Sequence, residues 1–206
     1  MAAGFLLGFI LWTLAVRFID VQAIGPKNSS VGFATVNSVV HKFTGVNMTL
    51  YTITDWLGLV PVGVGFGFAM LGLFQWIKRR GLKYVDYDIF VLGGFYIVTI
   101  ATYLLFETVV VNYRPVLING YLEASYPSST TILVLCVMTT AILQFNSRIR
   151  NQMLKKCIGL CICLFMAYMV IGRFVSGVHW MSDIVGGILV SAGLVLLYNA
   201  VIHIKK

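Results

Sequence analysis

The chain has 206 residues, of which 59% are hydrophobic and 11% charged, with a formal net charge of +8. That composition excludes a soluble globular protein and gives apolar runs long enough to cross a bilayer as helices. Nucleic-acid binding is excluded as the reason for the positive charge, because the basic residues cluster in short segments between apolar runs, as membrane topology requires.

Six spans are predicted in chain order, at about 3–19, 56–77, 88–111, 128–145, 157–173 and 181–202. The first is read as a retained span, since it lacks a basic leader and Val21-Gln22-Ala23 is a poor cleavage site. A connection at about 20–55 follows, too long to be structureless. Within it Phe33, Val36, Val40 and Phe43 recur at helical spacing, and Gly45 follows, which predicts a short amphipathic helix on the membrane surface.

Lys78, Arg79, Arg80 and Lys83 fill the connection after span two, Arg148, Arg150, Lys155 and Lys156 the one after span four, and Lys205 and Lys206 end the chain. By the positive-inside rule these segments and both termini are cytoplasmic, and the connections after spans one, three and five face outward. The fold class is therefore all-α: a polytopic six-span bundle forming one domain over 1–206, placed in the cell membrane. The four cysteines lack the paired spacing of a zinc site, and no metal or other cofactor is expected.

Chemistry concentrates at the outward end, in the core stretches 107–130 and 173–183. Between spans five and six the run from Gly172 to Asp183 holds Arg173, His179 and Asp183, and ionisable groups next to hydrocarbon are costly enough to mark a functional site. On a helix His179 and Asp183 would share a face, the carboxylate fixing the imidazole tautomer and leaving the other nitrogen free to attack or transfer a proton. Asn112-Tyr113-Arg114-Pro115 follows span three, and Tyr126-Pro127-Ser128-Ser129-Thr130 opens span four. Proline in a first helical turn gathers free N–H groups and the positive end of the helix dipole beside the hydroxyls, and arginines offer a donor fork for phosphate oxygens.

These stretches resemble the type-2 phosphatidic acid phosphatase family, six-span lipid phosphatases related to the vanadium-dependent haloperoxidases. The family pattern is K-x6-R-P, then P-S-G-H, then S-R-x5-H-x3-D, and here the third stretch is complete from Arg173 onward. The resemblance spans roughly 56–202. It implies that His179 is a nucleophile forming a phosphohistidine and that Asp183 orients it. It also implies that Arg114, Arg173, Ser128 and the backbone N–H of Ser129 bind the phosphoryl oxygens of a membrane lipid phosphate or diphosphate. Gly177 would let the backbone pass close to the bound anion.

Two positions depart from the pattern. Glu107 stands where the family has lysine, and Thr130 where it has the second histidine, the acid that protonates the leaving oxygen. Glu107 has three readings: a charge-compensating partner of Arg114 or Arg173, a protonated acid, or a recogniser of an amine on the head group. Loss of the acid, worth typically 10²- to 10⁴-fold, turns the expected substrate toward polyprenyl and other lipid diphosphates, whose leaving phosphate needs no protonation. The alternative is a relative that binds lipid phosphates without hydrolysing them. The oligomeric state is not legible in the sequence.

Overall fold

The computed structural model describes residues 1–204 and is built of helices: α1 Ala2–Phe18, α2 Ala34–Thr44, α3 Met48–Leu57, α4 Leu59–Arg79, α5 Tyr87–Thr108, α6 Ser129–Arg148, α7 Gln152–Val175 and α8 Met181–His203. Among the described residues five helices are long and apolar enough to cross a membrane, counting α3 and α4 as one stretch over Met48–Arg79, and the 17-residue apolar α1 completes the bundle. At 1.5 Å per residue α1 reaches only about 25 Å, at the short end for a span. The chain is thus a multi-pass membrane protein of the expected all-α class. The basic pair Lys205 and Lys206 lies outside the described residues.

Several boundaries differ from the sequence expectation. The helix expected at 56–77 begins at Met48, where the Asn47 side chain caps it by accepting from the Leu50 N–H, and it breaks only at Gly58. The helix expected from 157 begins at Gln152, capped by Asn151, so Lys155 and Lys156 lie in its first turns rather than in a loop; long basic side chains at a span end keep their charges in water while the backbone stays helical. The helix expected to reach 111 stops at Thr108, because Val109–Val111 turn into a loop whose residues pair as isolated bridges, Tyr113 with Ala124 and Ile118 with Tyr121.

Helix α8 is the hub, packing against α1, α2, α5, α6 and α7. A Cβ on Gly186 would come within 2.7 Å of the Tyr126 ring, so its lack of a side chain lets the loop before α6 seat on α8. Outward-facing side chains are apolar too, Phe66, Ile97 and Leu164 among them, as expected where lipid is the solvent.

The amphipathic segment forms α2 and ends at Gly45 in a positive-φ conformation, as its pattern predicts. Its apolar Val36, Val39 and Phe43 point outward, while Asn37 is buried and His41 faces the protein. This polarity would suit a helix on a bilayer rim, with its apolar side turned away from the protein.

Candidate active site

His179 lies in the turn between α7 and α8, with Trp180 as the α8 N-cap, so it is not on a helical face shared with Asp183. Its Nδ1 meets the Ser125 carbonyl at 3.1 Å, and the Asp183 carboxylate stands 3.8 Å away. The tautomer is therefore fixed mainly by a backbone acceptor, Nδ1–H donating to Ser125, with Asp183 as a nearby charge. The lone pair on Nε2 then faces Nη1 of Arg114, 3.2 Å away. The nitrogen expected to be free is thus covered by a guanidinium.

His179 is 3% exposed. Burial, and after it the Arg114 charge, pulls its pKa down to about 4, against the opposing pull of Asp183. The imidazole is accordingly neutral at pH 7, the form with a lone pair to share.

Asp183 has a second duty that explains its burial. Its Oδ2 accepts from the Trp180 N–H at 2.9 Å, capping α8, while Oδ1 lies 3.3 Å from both Asn112 Nδ2 and the Ser182 hydroxyl. Asn112 accepts in turn from the Gly32 N–H, and Asn37 donates to Ser182. These buried amides tie the first outward connection and the loop after α5 to the start of α8. Their contribution was invisible in the sequence, since neither Asn112, in a loop, nor Asn37, on the inner side of α2, carries a spacing signal.

Arg114 is held from two sides. Its Nε lies 3.1 Å from Glu123 Oε2, and its Cζ lies 5.9 Å from the Tyr51 ring. The backbone brings the pair together, because the Arg114 N–H donates to the Glu123 carbonyl across the hairpin-like loop. Glu107, for which pairing with Arg114 or Arg173 is one of three readings, makes no ion pair among the described residues; Glu123 pairs with Arg114 by virtue of the cross-loop register.

Arg173 is buried, with Nη2 2.6 Å from Asp55 Oδ1 and Cζ 4.8 Å from the Tyr51 ring. Its Nε and Nη1 are buried with no hydrogen-bond acceptor, and Arg114 Nε has no aligned one despite Glu123. Unsatisfied guanidinium donors beside a neutral histidine are what an oxyanion is shaped to meet. Tyr51 faces both arginines; its one legible signal is the i,i+4 spacing to Asp55 on α3.

The serines divide. Ser128 is the α6 N-cap and is fully buried; its N–H donates to the Asp183 carbonyl at 3.0 Å and its hydroxyl accepts from Thr131. Helix α6 therefore starts two residues after Pro127, and the starts of α6 and α8 are joined directly. Ser129, the first residue of α6, instead lines a cleft of about 250 Å³ together with Tyr103, Glu107, Arg114, Glu123 and Ser125. Arg114 and Ser125 line this cleft and also touch the imidazole, so they form the wall between cleft and histidine.

Thr130 faces a neighbouring, mostly apolar groove with Thr99, Ile100 and Leu133, which shares Tyr103, Ser129 and Ile132 with the cleft. Gly177 has φ +66°, and a Cβ there would sit 1.7 Å from the Gly45 carbonyl oxygen. The close approach it permits is therefore to the α2–α3 connection, not to a bound anion.

Fold and site together define an integral membrane helix bundle with a buried neutral histidine flanked by two arginines. Residues 109–205, which carry Arg114, the start of α6 and the Arg173 to Asp183 run, match the PAP2 superfamily. The fold is similar to the crystal structure of a transmembrane PAP2-type phosphatidylglycerolphosphate phosphatase from Bacillus subtilis, at a TM-score of 0.61 and 15% identity, covering 100% of this chain and 97% of that one. No curated protein matches the sequence.

Proposed function

We propose that the protein is a membrane lipid phosphatase that releases phosphate from a lipid diphosphate or phosphate through a phosphohistidine on His179. The observation that carries this reading is the buried neutral imidazole, with Nδ1–H given to Ser125 and Nε2 turned to Arg114. In the proposed reaction the Arg114 donor passes from the Nε2 lone pair to a phosphoryl oxygen, and Nε2 attacks phosphorus. The bond to the leaving oxygen breaks, and water later cleaves the P–N bond, returning a neutral imidazole and inorganic phosphate. Arg114, Arg173 and the N–H of Ser129 neutralise the oxygens as charge develops, and Asp183 offsets the positive charge on the phosphorylated ring. Ser128 acts through its backbone, joining α6 to α8, rather than through its hydroxyl.

The apolar groove beside the cleft suits the chain of a lipid whose head group occupies the cleft. Thr130, on that groove, stands where the resemblance expects the leaving-group acid and cannot protonate an alkoxide, which favours a diphosphate, whose departing lipid phosphate is far less basic. Glu107 and Glu123 in the cleft also reduce its positive charge. That charge balance favours a second reading, a protein that binds lipid phosphates without turnover.

A phosphate-release panel of lipid mono- and diphosphates on purified protein, with His179→Ala alongside, separates them. Faster release from a polyprenyl diphosphate than from phosphatidic acid, abolished in His179→Ala, is expected. The opposite ranking rejects the diphosphate preference, and an inactive wild type that still binds the lipids establishes the second reading.

A further inference from the structure

We propose that Tyr51 and Asp55 of α3 are positioning residues for the arginine pair, making α3 a wall of the phosphate site; this rests on the phosphatase reading above. The two residues are four apart and share a face of the helix. Asp55 binds Arg173 Nη2 at 2.6 Å, and the Tyr51 ring lies 4.8 Å from Arg173 Cζ and 5.9 Å from Arg114 Cζ. One aromatic ring thus faces both guanidinium groups, one of which touches the nucleophilic nitrogen of His179.

The partners are unequal in a way that suits positioning. The Arg173 side chain is 3% exposed and the Asp55 carboxylate 59%. Water and salt therefore screen the carboxylate and leave it a weak competitor for the site, while its hydrogen bond fixes the orientation of the buried guanidinium. Asp55 occupies Nη2 only. Nε and Nη1, buried and without acceptors, stay available to phosphoryl oxygens. The α3 helix is held to this end of the molecule where the Asn47 N–H donates to the Ser176 carbonyl, three residues before His179.

The test measures orthovanadate, a phosphate mimic that needs no turnover, together with the kinetics of the best lipid substrate. Asp55→Asn is expected to weaken orthovanadate inhibition and binding about ten-fold and to lower kcat/KM by at least as much, the loss typical of one misdirected charged hydrogen bond. Asp55→Glu should restore most of it. Tyr51→Phe should keep most of the orthovanadate affinity, because the ring face is retained, and Tyr51→Leu should lose several-fold.

Orthovanadate binding in Asp55→Asn as tight as, or tighter than, in the wild type overturns the proposal, as does equal loss in Tyr51→Phe and Tyr51→Leu. If Asp55→Asn fails to fold, Asp55→Glu and the Tyr51 pair still decide it. Wild type that binds orthovanadate without hydrolysing any lipid rejects the phosphatase reading alone. Failure of the wild type to bind orthovanadate rejects both.

Discussion

His179 carries a pH signature that an exposed histidine would not. Its pKa is about 4 in the folded protein against 6.5 unperturbed. Between those values the unfolded chain takes up a proton that the folded one refuses. Stability therefore falls as pH drops from 6.5 toward 4, by at most about 3 kcal/mol, and loses nothing more from this group below 4. His179→Gln in detergent should flatten the fall in Tm between pH 7 and pH 4.5, and an unchanged slope would show that the imidazole is not held neutral by burial. The same burial keeps the lone pair available well below pH 6, so an acid limb set by this group lies far under that of an ordinary histidine. Arg114→Ala removes the second cause of the depression and should move the histidine's NMR titration upward. None of this was legible in the sequence: the R-x5-H-x3-D spacing marks the residues, but the partner of Nδ1 is the carbonyl of Ser125, and a backbone acceptor has no sequence signature.

At the scale of elements, the spans were legible because hydropathy is a local property, and the outward loops were not, because their contacts are long-range. The pattern of α2 predicted its existence and its end at Gly45, yet not that Asn37 and His41 would bond to Ser182 and Gly177. Glu107 was singled out by its departure from a family lysine, whereas Glu123, which holds Arg114, depends on a bridge register that no periodicity reports. Gly177 is the joint between these loops. Its positive φ alone costs an L-residue roughly 1–3 kcal/mol, and a Cβ 1.7 Å from the Gly45 oxygen must push the α2–α3 connection away. Gly177→Ala is expected to lower Tm and to reduce turnover together, since the displaced segment carries α3 with it; Gly67→Ala, where a Cβ meets nothing within 4 Å, is the control and should change neither. A Gly177→Ala variant of wild-type stability and activity would mean that the loop does not depend on this approach.

For the whole molecule, the two ends of the bundle are chemically opposite. One holds the histidine and the arginine pair under α2, α3 and the 109–128 loop. The other is knitted by charge: Arg79 to Asp86 at 2.6 Å, Arg148 to Asp88 at 2.9 Å, and Gln75 to Asp86 at 2.8 Å, joining α4, α5 and α6 where the basic connections lie. Tyr198 of α8 joins this network through Gln144, so the hub helix is anchored at both ends. Positive charge resists translocation, so the end bearing Lys78, Arg79, Arg80 and Lys83 is expected in the cytoplasm and the histidine end outside. That orientation makes a sharp prediction. In a variant lacking the four native cysteines, a single cysteine at Asn119, in the turn of the 109–128 loop, should react with an impermeant maleimide in intact cells. One at Lys83 should react only after permeabilisation. Reversal of that pattern would turn the site to the cytoplasm and move the substrate pool of the proposed reaction to the inner leaflet.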